Sequence, residues 1–216
     1  MNKPLALTMG EPAGIGAEIA MAAWLRRGEG LPPFVLLDDP ARLNALAATL
    51  GWSVPLARID GAVEATAAFA EALPVIPVPL EAPVTPGQPN AANAPAVVKA
   101  IDGAVGLAQS GAVGGIVTNP IQKATLNAAG FAHPGHTEYL AHLAGGVPVA
   151  MMLASPELRV VPATIHVSLR RALDMLSQDL IVEAGLITAR ALARDFGLPA
   201  ARLAGAGLNP HAGEEG

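Results

Sequence analysis

Short runs of four or five apolar residues alternate with longer stretches of helical period along this 216-residue chain. That alternation narrows the fold more than any other feature. A helix between successive buried strands makes a crossover, and repeated crossovers build a largely parallel sheet. Strands are expected at Leu5 to Met9, Phe34 to Leu37, Val54 to Arg58 and Gly114 to Thr118. Helices are expected from Gly16 to about Arg26, from Asp39-Pro40 to Leu50 and over Ala94 to Gln109. At the second of these an Asp can cap and a Pro can open the helix. Between Leu73 and Gln88 lie Pro74, Pro77, Pro79, Pro83 and Pro86. So many missing backbone donors predict an extended crossing segment with at most edge strands, not a central strand.

Further along, short helices are predicted at Ile121 to Ala129 and His136 to Leu143. A hairpin-like pair, Val149 to Leu153 and Arg159 to Thr164, is separated by Ser155-Pro156-Glu157. Helices near Leu169 to Leu176 and Leu180 to Phe196 precede a last strand at Arg202 to Leu208. The fold class is α/β, with no internal repeat. The chain stops just after that last strand, where open α/β sheets bind ligands. On this reading residues 1–216 look unfinished.

Composition removes several functions. Thirteen Lys and Arg against eighteen Asp and Glu give a net charge of −5, with no basic footprint for nucleic acid or an anionic membrane. No cysteine is present, so disulfides, thiolate zinc sites, iron–sulfur clusters and cysteine nucleophiles are all excluded. The strongly apolar run Val147 to Ala154 is far shorter than the roughly 20 residues that span a bilayer. Met1 to Pro4 leads into an apolar stretch broken by Glu11, which is no secretory leader. A cytoplasmic protein is expected.

Three strand-to-helix turns carry the chemistry. Gly10-Glu11-Pro12-Ala13-Gly14-Ile15-Gly16 sits where phosphate loops sit, yet lacks the spacing of a dinucleotide fingerprint and the Lys of a Walker loop. It reads equally as a turn that packs a helix on the sheet. Thr118-Asn119-Pro120-Ile121-Gln122-Lys123 places a Lys one turn into a helix, either as an anion partner or simply solvated. Gly135-His136-Thr137-Glu138 opens a helix, where His136, Thr137 and free backbone N–H groups suit a phosphate or carboxylate. Thr137 as an ordinary cap is the plainer alternative.

His166 and His211 each follow an expected strand, so two imidazoles could converge on one cleft and share a divalent ion. Two ligands are too few for a stable site, and no third is evident. His133 and His142 read as surface or partly buried residues. No Ser-His-Asp elbow, zincin helix or EF-hand occurs. From the residues alone the chain is an anion-binding α/β protein with a possible two-His metal site.

The blocks Thr8 to Gly16, Thr118 to Lys123, Gly135 to Glu138, Val149 to Leu153, Thr164 to His166 and Gly207 to Glu214, in that order, resemble the 4-hydroxythreonine-4-phosphate dehydrogenase family of pyridoxal phosphate biosynthesis. The resemblance implies a two-lobed isocitrate/isopropylmalate-dehydrogenase-like fold with a largely parallel mixed sheet. It implies oxidation of the 3-hydroxyl of 4-phosphooxy-L-threonine with NAD or NADP and a divalent metal (Zn, Mg or Co). His136 and Thr137 match substrate contacts, and His166 and His211 match metal ligands. Family members are homodimers with the active site at the subunit interface. Their chains continue further and there supply a third metal-binding His, contributed by the partner subunit, and more substrate contacts (a Lys, an Asn and an Arg). Residues 1–216 are thus expected to be the N-terminal and central portion of such an enzyme, with little activity alone. The catalytic acid and base and the cofactor-binding residues are not assignable. Alternatives are a relative acting on a four-carbon sugar-acid phosphate or a dihydrodiol, and a non-catalytic anion-binding remnant.

Overall fold

A computed structural model describes residues 3–212 and 214. Gly213 of the closing block lies outside the described residues. The chain divides into two compact units, Met1–Gly146 and Val147–Gly216.

The first unit is built on a five-stranded sheet of β1 (Leu5–Thr8), β2 (Phe34–Asp38), β3 (Leu56–Arg58), β4 (Leu73–Pro77) and β5 (Gly115–Thr118). Their spatial order is β3-β4-β2-β1-β5, and every pairing is parallel. Helices cover both faces, which is why β2 is buried at every residue. Side chains alternate along it: Val35 and Leu37 face a core shared with α4 (Ala94–Gln109), and Phe34 and Leu36 face one shared with α1 (Gly16–Leu25) and α2 (Pro40–Leu50). Each fully buried Val or Leu contributes roughly 1.5–3 kcal/mol of transfer free energy. The second helix starts as its residues dictate. Asp39 Oδ1 accepts from Ala41 N at 2.7 Å and Arg42 N at 3.2 Å, and Pro40 occupies the first turn.

The Pro-rich stretch corrects the expectation. Residues 73–77 form β4, an interior strand between β3 and β2. The prolines are tolerated because of where their missing donors fall. Leu73 N donates toward β3, to Pro55 O, so residue 74 faces β2. The first rung with β2 is Leu36 with Val75, one residue beyond Pro74. Pro77 is the last residue of the strand and faces β3 beyond its final residue, Arg58. Both prolines have register partners, Pro74 with Ala57 and Pro77 with Asp38, and each missing donor falls beyond the end of the ladder that it faces. Beyond the strand the segment is extended, as expected, and Leu80 N donates to Asp39 Oδ2 at 2.9 Å.

Between β3 and β4 lies α3 (Ala65–Ala68), and after β5 come α5 (Lys123–Ala128) and α6 (His136–Leu143). The second unit holds an antiparallel pair, β6 (Leu153–Ala154) and β7 (Arg159–Val160), then α7 (Leu169–Met175) and α8 (Gln178–Asp195). The hairpin is shorter than expected, with Ser155 N donating to Leu158 O across the turn. Ser168 and Ser177 cap the two helices through Arg171 N and Leu180 N. The strand expected at Arg202 to Leu208 is not formed: these residues have no regular structure and make no ladder. A strand exists only by pairing, and no described strand lies alongside to supply the rungs.

Candidate functional site

The sheet order reverses at β1, with β2 on one side and β5 on the other. Ligands of open parallel sheets bind beyond the carboxyl ends of the strands at such a reversal. Both turns after β1 and β5 meet there. Asn119, buried, donates through Nδ2 to Thr8 O at 3.0 Å and Gly16 O at 3.1 Å. Glu11 N donates to Pro120 O at 2.8 Å. Gly10 has φ +68, and a Cβ on it would stand 2.6 Å from Pro120 O, so only glycine fits. Glu11 turns its carboxylate back onto its own loop. Its carboxylate accepts from Ala13 N at 3.0 Å and folds the loop on itself.

The chain then leads to Lys123 and the start of α6. Gln122 caps α5 by accepting from Thr125 N at 3.0 Å. Lys123 is therefore the first residue of that helix rather than one turn in. Its ammonium reaches the start of α6: a Cβ on Gly135 would lie 3.6 Å from Lys123 Nζ. Gly135 is the N-cap of α6 and offers no side chain to its first N–H groups; Thr137 does not cap. His136 is half-buried, and its Nε2 is enclosed without a hydrogen-bond partner. Burial, and then the Lys123 charge, push the His136 pKa below its ordinary value, so the ring is neutral at pH 7. Glu138 in the same turn also leans toward Gly135, its Oε2 3.5 Å from that Cβ position. An ammonium, a ring nitrogen lacking a partner and open N–H groups at a helix N-terminus are groups that can receive a small oxyanion, with the Glu138 carboxylate set against them.

His166 and His211 belong to the second unit, away from any regular strand end. Both are exposed, and His166 has φ 55, unusual for a residue with a side chain. His211 Nδ1 is 2.6 Å from Glu214 Oε1. A carboxylate on one ring nitrogen orients the other toward a metal, so the donors fit a borderline divalent ion in kind. They do not suffice in number. Among the described residues no three His, Asp or Glu side chains gather into a metal-holding group.

Two features escaped the sequence reading. A cleft of about 610 Å³ opens on the α1–α2 side, lined by Pro12, Glu18, Arg42 and Leu80 among others. Beneath it Arg42 pairs with fully buried Asp38 at 2.6 Å and donates to Pro12 O at 2.7 Å. Burial raises the Asp38 pKa, and Arg42 opposes that shift. The i, i+4 spacing of Asp38 and Arg42 was a visible signal for this pair. His133 and His142 stack in a cluster with Phe131 and Tyr139, at centroid distances of 4.9 to 6.5 Å.

No helix among the described residues is long and apolar enough to cross a membrane. Compared with known proteins, residues 31–216 match the family described as Pyridoxal phosphate biosynthetic protein PdxA. The 4-hydroxythreonine-4-phosphate dehydrogenase of Methylorubrum populi is 54% identical over 226 residues, covering 100% of this chain and 64% of the relative. The chain thus spans about 64% of the length of that curated relative. The solved structure of the dehydrogenase of that name from Klebsiella pneumoniae superposes with a TM-score of 0.87 at 38% identity, over 99% of this chain and 66% of that one. A terephthalate 1,2-cis-dihydrodiol dehydrogenase from Burkholderia xenovorans superposes less closely, with a TM-score of 0.69 at 30% identity, over 100% of this chain and 65% of that one. The architecture is the isocitrate-dehydrogenase-like α/β fold of these enzymes. With the family match extending from residue 31 to residue 216, the chain belongs to the PdxA family.

Proposed function

We propose that residues 1–216 supply the phosphate-receiving and part of the metal-holding machinery of a dehydrogenase of 4-phosphooxy-L-threonine. The reaction oxidises the 3-hydroxyl to a ketone, giving 2-amino-3-oxo-4-phosphooxybutanoate, a β-keto acid that loses CO2 to give 3-amino-2-oxopropyl phosphate. The observation that carries this reading is the start of α6, where His136 Nε2 is enclosed without a partner beside Lys123.

In this reading His136 and Thr137 bind the substrate phosphate together with the open N–H groups of the first turn, while Lys123 balances its charge. His166 and His211 hold the divalent ion with a third ligand from outside the described residues, and Glu214 orients the His211 ring. When bound, the ion (Zn, Mg or Co) supplies a Lewis acid at the alcohol, and NAD or NADP takes up the hydride. Anchoring the phosphate at a rigid helix end brings the alcohol to one repeated position, which lowers the entropic part of the barrier. The Lys123 ammonium and the open N–H groups at the start of α6 favour a phosphorylated substrate over a neutral dihydrodiol. A homodimer with the active site at its interface is part of this reading, and exposed Leu153, Val160, Leu169, Val182 and Leu186 offer apolar surface for a second copy. The compartment that suits such a metabolic enzyme is the cytoplasm.

The test is NADH or NADPH formation from 4-phosphooxy-L-threonine by the protein at family length, with and without added Zn, Mg or Co. Turnover that a chelator abolishes and metal restores is expected. Turnover on a dihydrodiol but not on the phosphorylated substrate would overturn the reading.

A further inference from the structure

The start of α6 is held from behind by α4. Tyr139 Oη donates to the Asp102 carboxylate at 2.5 Å, and two turns further along α4 Gln109 Nε2 donates to Leu143 O at 3.0 Å. The two contacts lay α6 along α4. Tyr139 is buried, and Phe131 meets its ring edge to face at 4.9 Å. The same residue closes the first turn, because Tyr139 N donates to Gly135 O at 3.2 Å. Its side chain is thus tied to α4, while its backbone is tied to the residue immediately before His136.

We propose that Tyr139 and Asp102 are positioning residues for the anion site, their hydrogen bond setting the placement of His136 and of the open N–H groups of α6. The inference rests on the phosphate-receiving role given to α6 above. Burial, with Asp102 adding to it, pushes the Tyr139 hydroxyl up to about 12, so it remains a donor throughout the neutral range. A hydrogen bond to a carboxylate has a preferred direction that ring packing lacks. The aromatic cluster fills the space, and the bond fixes the helix in rotation and along its axis.

The experiment titrates inorganic phosphate into the chain while following the His136 ring signal by NMR, with thermal melting measured in parallel. Tyr139→Phe and Asp102→Ala are expected to weaken phosphate about five- to tenfold, the scale of one ordinary hydrogen bond. Asp102→Asn, whose amide oxygen still accepts from Tyr139, is expected to stay within about twofold of the unaltered chain. A melting point that falls in Tyr139→Phe and Asp102→Ala with phosphate affinity unchanged makes the contact purely structural and overturns the inference. If Tyr139→Phe does not fold, the comparison of Asp102→Asn with Asp102→Ala decides by the same criterion. A phosphate response lost in His136→Ala but intact in Tyr139→Phe overturns this inference alone. No phosphate response at His136 in the unaltered chain overturns both it and the reading beneath it.

Discussion

At the scale of single residues, His136 is the group whose chemistry is most exposed to test. Burial and the Lys123 ammonium lower its pKa, and Glu138 is the nearby carboxylate on its own helix. The unfolded chain therefore binds this proton more readily than the folded one. Stability falls as pH drops through the ordinary His value of 6.5, and the loss is complete below the depressed folded value. Histidine NMR titration is expected to place the His136 midpoint below 6.5, and added phosphate is expected to move it upward. A midpoint at or above 6.5 without phosphate contradicts the buried, Lys123-facing placement. The motif Gly135-His136-Thr137 was readable as a helix start because Gly, His and Thr stand before an amphipathic turn. The missing partner of Nε2 and the Tyr139–Asp102 bond were not readable. They join residues far apart in sequence through tertiary packing, which leaves no local pattern.

Among the elements, the junction of β1, α1 and β5 carries the framework. Asn119→Ala leaves Thr8 O and Gly16 O without their partner and is expected to cost about 2–3 kcal/mol, measured by urea unfolding. A change under about 0.5 kcal/mol, the range of ordinary surface substitutions, would mean that Asn119 does not tie the strands. The same scale shows what sequence patterns carry and what they miss. β1, β2, β5 and α4 were legible because their apolar runs and their caps or turns agree. β4 was misjudged because a proline count ignores which side of a parallel strand each missing donor faces. Pro74 and Pro77 are paired in register with Ala57 and Asp38, but each missing donor faces the other neighbour beyond the paired residues, and only the register reveals it. At 202–208 an apolar run suggested a strand, but ladder formation depends on a neighbour, which composition cannot supply.

For the molecule as a whole, the proposed function assigns different groups to the two units. The first holds Lys123, His136 and Thr137 at the carboxyl side of its parallel sheet, and the second holds His166 and His211. Two imidazoles need further ligands before a metal binds well. The proposed anion receptor, by contrast, draws only on residues of the first unit. It therefore gives the most direct access to the central claim that this fold receives a phosphorylated substrate at α6. The decisive measurement is the affinity of 4-phosphooxy-L-threonine against its unphosphorylated parent, 4-hydroxy-L-threonine, in the unaltered chain and in His136→Ala. The phosphorylated compound is expected to bind at least about tenfold more tightly to the unaltered chain, and His136→Ala to lose most of that advantage. Equal affinity for the two compounds, or a phosphate preference untouched by His136→Ala, would contradict the account.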